Sequence, residues 1–270
     1  MHTADRHQMK MTGPTDGRPM VFVHGFGCDQ RMWRYVIPWF EDRFRCVSFD
    51  LAGAGSRGAD TYDPERHATL DGYARDVVEI CSELDLDGAV YVGHSVSAMI
   101  GVLASIRRPD LFSHLVLVGP SPRYVDDGDY VGGFTRSDID DLLDSLDGNY
   151  LGWSAQMAPV IMGNDDRPEL GDELTESFCR TDPDIQRRFA RVTFLSDNRE
   201  DLGQVSVPCL VLQCRNDVIA PEYVGRYVHE HLPRSTFEML DASGHCPNLS
   251  APDETANAIL SYLAAENITG

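Results

Sequence analysis

Short apolar runs alternate with longer amphipathic stretches along most of the chain. Met20 to His24, Cys46 to Asp50, Ala89 to Gly93, Leu115 to Val118, Cys209 to Gln213 and Thr236 to Leu240 have the length and character of strands, several apolar enough for burial on both faces. Between them, Arg31 to Phe40, Thr69 to Leu86 and Val96 to Ile106 read as helices, with Tyr73, Val77, Ile80 and Leu84 along one face of the second. Pro221 to His231 and Pro252 to Ala265 supply two more, each opened by a proline in the first turn. This alternation calls for an α/β fold, a mostly parallel sheet covered by helices on both faces.

From Ser121 to about Asp201 the strand pattern disappears. Ser137 to Leu146, Tyr150 to Met162, Pro168 to Cys179 and Pro183 to Leu195 have helical character, punctuated by turns at Asp147-Gly148-Asn149 and Gly163-Asn164-Asp165-Asp166. With few bulky apolar positions, such a segment packs on a larger core rather than folding alone. The expected organisation is a core of residues 1–120 and 202–270, with residues 121–201 inserted as a helical cap.

Candidate chemistry gathers where strands end. Gly93-His94-Ser95-Val96-Ser97 lies where a buried strand turns into a helix, so Ser95 stands at a helix N-terminus that favours developing negative charge. The G-x-S-x-G pattern is complete but for its last position, where Ser97 is still small. A serine nucleophile needs a base, and the base a carboxylate. His245 and Asp217 both follow strands, giving the chain order Ser, Asp, His of the α/β-hydrolases. Asp201 is a rival carboxylate at the end of the cap, His94 is expected to be structural, and His229 and His231 fall on a surface helix. His24-Gly25-Phe26-Gly27 follows the first buried strand, so the backbone N–H groups of Phe26 and Val96 are the expected oxyanion hole. Asp50 and Gly53-Ala54-Gly55-Ser56 lack the glycine spacing of a dinucleotide fingerprint and read as a structural turn.

Composition narrows the class. In 270 residues there are 43 acids and 23 bases, a net charge of −20 that argues against nucleic acid as a partner. The acids are 30 Asp and 13 Glu, the bases 22 Arg and the single Lys10. Excess Asp with almost no Lys resembles a halophile's surface, although an ordinary acidic bacterial protein fits as well. No apolar run is long enough for a membrane helix, and Met1 to Thr12 lacks the apolar region of a secretory signal, so a cytoplasmic location is expected. Seven cysteines without a CxxC pair point to buried free thiols rather than disulfides or zinc.

Several longer stretches resemble the RsbQ-like branch of the α/β-hydrolases, which includes a bacterial sigma-B stress regulator and the plant strigolactone and karrikin receptors. They include His24 to Gln30, Gly93 to Gly101, Leu103 to Pro109, Gly119 to Tyr124, Gly132 to Phe134, Asn149 to Trp153 and Gly244 to Pro247. The resemblance runs from about residue 20 to the C-terminus. It implies an α/β-hydrolase fold with a four-helix cap over a small hydrophobic pocket, lined by Phe26, Val96, Tyr124, Phe134, Trp153, Met157, Phe194 and Val218. It also implies a serine hydrolase acting on a small apolar ester or lactone, without metal or organic cofactor. The alternative is a slow-turnover receptor or stress regulator whose cap recruits a protein, a phosphatase in the RsbQ case. Asp138, Asp140, Asp141 and Asp144 cover more than one face of a cap helix, so part of that cluster must face solvent.

Overall fold

The computed structural model describes residues 6–270. Seven strands form one sheet: β1 (Lys10–Thr12), β2 (Arg18–Val23), β3 (Phe44–Phe49), β4 (Ala89–His94), β5 (Phe112–Val118), β6 (Cys209–Arg215) and β7 (Ser235–Ser243). Their order is β1-β3-β2-β4-β5-β6-β7. Only β1 runs antiparallel, against β3; every other neighbouring pair is parallel. The central strand β4 is buried along its whole length, in keeping with the mostly apolar run from Ala89 to Gly93, which does not alternate with exposed polar residues.

Helices α1 (Leu70–Glu83) and α2 (Val96–Arg107) follow β3 and β4. Tyr73, Val77 and Ile80 of α1 are fully buried, as their spacing predicts. Between β5 and β6 come α3 (Arg136–Gly148), α4 (Tyr150–Met162), α5 (Pro168–Cys179) and α6 (Pro183–Phe194), then α7 (Glu222–His231) and α8 (Pro252–Ala265). Thr135 caps α3 through a reciprocal pair with Asp138, and Asp182 accepts from the backbone N–H groups of Asp184 and Ile185 at the start of α6. Asp138, Asp140, Asp141 and Asp144 are all exposed. The two ends of the inserted segment are held together by Arg123, which bonds Asp197 at 2.5 Å, and by Arg199, which bonds both Asp197 and Asp127 at 2.7 Å.

The structure departs from two sequence expectations here. Arg31 to Phe40 is not an α-helix but two short 3-10 turns, Gln30–Trp33 and Ile37–Trp39; Pro38 lacks the N–H that a continuous helix would need. Six cysteines are buried and free as expected, whereas Cys179, also free, is exposed at the end of α5. No helix among the described residues is long and apolar enough to cross a membrane.

Candidate active site

The turn from β4 into α2 forces Ser95 into an unusual backbone conformation, with φ of 57° and ψ of −123°. A non-glycine residue there is strained, and surrounding bonds must hold it. The Ser95 N–H donates to the Val118 carbonyl of β5 at 2.8 Å, and Ala98 N–H donates to the Ser95 carbonyl at 2.9 Å. At the position of the usual last glycine, Ser97 is fully buried and its hydroxyl donates to the His24 carbonyl. The serine thus ties the turn to the loop after β2.

Ser95 Oγ lies 2.7 Å from His245 Nε2, and His245 Nδ1 lies 2.8 Å from Asp217 Oδ2. A carboxylate only accepts, so Nδ1 carries the hydrogen and Nε2 is left as the acceptor for the serine hydroxyl. The other carboxylate oxygen, Oδ1, accepts from the N–H groups of Ile219 at 2.8 Å and Ala220 at 3.0 Å, which fixes the side chain in its loop. Asp201, the rival carboxylate, instead accepts from Asn198 at 2.9 Å. The loop after β7 is held from two sides. His245 N–H donates to the Ile161 carbonyl of α4 at 2.9 Å, and the His245 carbonyl accepts from His94 Nε2 at 2.7 Å.

His94 is therefore structural in a specific way. Burial, reinforced by the nearby His245 ring, pushes its imidazole down to about 3, so the ring is neutral. Its Nδ1 has no hydrogen-bond partner among the described residues and abuts Gly25, where an added Cβ would stand 2.6 Å from that nitrogen and 3.2 Å from Ser95 Cβ. Only glycine allows this approach. Gly27, at φ +69°, is pressed equally closely against the Phe178 ring. His24 holds the same loop, with Nδ1 donating to the Gly25 carbonyl at 2.9 Å and Nε2 accepting from Leu51 N–H at 3.0 Å. The N–H groups of Phe26 and Val96 bond no acceptor among the described residues; Val96 opens α2 and has no helical carbonyl behind it. Both donors are free for a ligand oxygen.

Above Ser95 is a small, largely apolar cavity between the sheet and helices α4 to α6. Of the residues expected there, Phe26, Tyr124, Trp153 and Phe194 line it. The Phe26 ring meets Trp153, Phe178, Phe189 and Phe194 at centroid distances of 5.7–6.4 Å. Burial pushes the Tyr124 phenol up to about 12, opposed by its contact with the Ser95 side chain. Four expectations are corrected. Val218 is 48% exposed and lies outside; the tight turn capped by Asp217 alternates side chains, and Ile219 fills the wall instead. Phe134 and Met157 line a separate groove between α3 and α4, which shares Trp153 with the cavity. Trp153, stacked on Phe178, fills the intervening wall. The Val96 side chain is also absent from the lining.

Sequence reasoning missed Cys28, Ile161, Leu174, Phe178, Thr193 and Cys246, which complete the walls. Most come from helices where apolar residues are equally suited to packing, so periodicity alone carries no signal for them. The Asp50 turn is structural as expected, its carboxylate accepting from Gln30 N–H and from Gln8 Nε2, both at 2.9 Å.

Comparison with known proteins agrees with this architecture. Residues 20–258 match the model of the alpha/beta hydrolase family. The chain is 41% identical to Karrikin insensitive 2 receptor CA of Petunia hybrida over 96% of each chain. It is 42% identical to Strigolactone esterase D14 of Arabidopsis thaliana, over 90% of this chain and 91% of that one. A hydrolase from Oleispira antarctica superposes with a TM-score of 0.93 at 37% identity, over 97% of this chain and 96% of that one. The protein belongs to the α/β-hydrolase family.

Proposed function

We propose that this protein is a serine hydrolase cleaving a small, apolar ester or lactone through Ser95, His245 and Asp217. The observation that carries the reading is the unbroken chain from Ser95 Oγ to His245 to Asp217, at 2.7 and 2.8 Å, on a strained turn beneath a small apolar cavity. Ser95 Oγ attacks the carbonyl carbon and its proton passes to His245 Nε2, while Asp217 stabilises the imidazolium. The carbonyl oxygen, now negative, is received by the N–H groups of Phe26 and Val96. As the carbonyl reforms, His245 gives the proton to the departing alkoxide oxygen. Water then repeats the sequence on the acyl-serine and releases the acid.

Ser95→Ala and His245→Ala should each reduce hydrolysis of a short nitrophenyl ester to near background with an unchanged melting temperature. Because such residues act as a unit, the double variant should lose little more. Retention of most activity in Ser95→Ala would remove the nucleophile assignment.

A second reading is favoured by the relatives at about 40% identity that are named receptors. In it, hydrolysis is slow and acylation at the site changes the cap so that a protein docks. Capture of one protein from the native host only after covalent modification of Ser95 supports this reading. Fast multiple turnover with no capture in either state leaves the hydrolase alone.

A further inference from the structure

Ser95 and His245 bond each other, and His94 Nε2 is taken by the His245 carbonyl. Among the described residues lining the cavity, two buried side-chain polar atoms have no hydrogen-bond partner: His94 Nδ1, which abuts Gly25, and Thr193 Oγ1. Thr193 is 1% exposed. A helical threonine or serine ordinarily satisfies its hydroxyl on the carbonyl one turn earlier. Ser154, Thr175 and Thr255 do so here, at 2.8–2.9 Å to Tyr150, Gly171 and Ala251. Thr193 does not bond Phe189 in this way, although it too stands on a regular helix. A buried hydroxyl left without a partner is disfavoured and calls for an occupant.

We propose that Thr193 is a specificity-determining residue whose hydroxyl donates to a second oxygen of the substrate, distinct from the carbonyl attacked by Ser95. The substrate class is then an ester or lactone bearing a further acceptor, such as a ring ether or a second carbonyl, on the part that reaches the cap. Ser95 and the free N–H groups of Phe26 and Val96 come from the core, whereas Thr193 comes from α6, whose Phe189 and Phe194 meet Phe26. One oxygen is thus received from below and the other from above. The wall around Thr193 is apolar, so a plain hydrocarbon chain leaves the hydroxyl unpaired, and a site with an unpaired polar group discriminates against the analogue that lacks the partner. The inference rests on the serine-hydrolase reading and adds the chemistry of its substrate.

The test compares phenyl esters in matched pairs, butyrate against methoxyacetate and valerate against 3-methoxypropionate, in which an ether oxygen replaces a methylene. Thr193→Val keeps the shape and removes the hydroxyl, and Thr193→Ser restores it. For at least one pair, Thr193→Val should lower kcat/KM for the oxygenated ester relative to its alkyl partner by about fivefold, the worth of one ordinary hydrogen bond. Thr193→Ser should recover the ratio. Ratios unchanged within about twofold for both pairs overturn the proposal. If the wild type hydrolyses none of these esters, it is the hydrolase reading that fails. Dissociation constants of the same pairs for Ser95→Ala, with and without Thr193→Val, then read the hydroxyl directly: the same change in ratio upholds its role, and its absence rejects it.

Discussion

His94 Nε2 donates to the backbone carbonyl of His245 at 2.7 Å, so the residue before Ser95 holds the loop that carries His245. The His94 ring stands between that loop and Gly25, in the turn that presents the Phe26 N–H. One neutral imidazole thus touches all three parts of the proposed site: Ser95, the His245 loop and the Gly25-Phe26 turn. Replacing His94 with phenylalanine removes the donor but preserves the ring. The expected result is a fall in kcat of about tenfold or more with KM little changed, because small misplacements of a base act on the chemical step. His94→Gln, which keeps a donor at similar reach, should recover part of the loss; equal effects of both variants on kcat and KM would reject this positioning role.

The same histidine sets a pH dependence of stability. Its imidazole is held at about 3 in the fold, against 6.5 when unperturbed. The unfolded chain therefore binds the extra proton between those values. His94 contributes stability in full above pH 6.5 and loses it as pH falls towards 3, by about 1.4 kcal/mol per pH unit within that window. Asp29, whose carboxyl is lowered to about 2 by its bonds to Arg31, acts only below its ordinary value of 3.8. Denaturation at pH 7.0 and 5.0 should show wild type losing more stability than His94→Gln; parallel losses would place the titration elsewhere.

Acyl-chain length should show a sharp optimum. Each buried methylene gains about 0.8 kcal/mol until the aromatic walls around Phe26, Trp153 and Phe194 are met, after which overlap raises the cost. Nitrophenyl esters of two to sixteen carbons, compared by kcat/KM, should peak at short chains. Efficient cleavage of long-chain triglycerides is incompatible with this cavity.

Salt should stabilise the fold if the acidic surface is the dominant field. At a net charge of −20, with Asp138, Asp140, Asp141 and Asp144 all exposed on one helix, screening at 1 M acts over about 3 Å and relieves repulsion. The melting temperature should rise between 0.05 and 2 M potassium chloride. A flat or falling curve would make the exposed Arg–Asp pairs, which salt weakens, the larger effect.

The elements of the core and the convergence of Ser95, Asp217 and His245 were legible because each is written in local pattern: an apolar run, then a chemically distinctive residue after its end. The cap helices were legible for a related reason, since Pro168, Asp182-Pro183 and Gly163 mark their ends. The cavity wall was not. Val218 and Ile219 are chemically alike, and the hydrogen bonds of Asp217 determine which of them turns inward. Met157 and Trp153 lie one helical turn apart, yet the stacking of Trp153 on Phe178 separates cavity from groove. Strand β1, three exposed residues at the sheet edge, has too little pattern to announce itself.

Ser95, Asp217 and His245 stand in loops after β4, β6 and β7, and the hydrogen bond between the first and last joins positions 150 residues apart. Contacts of such long sequence separation form late, because the intervening chain must be ordered first. Helical signal during refolding arises from local turns of α1 to α8, whereas the hydrogen bond between Ser95 and His245 requires the parallel register of β4 through β7 to be complete. On the serine-hydrolase reading, ester cleavage is thus a built-in clock for a late stage of assembly: regained activity marks the moment when β4, β6 and β7 have come into register.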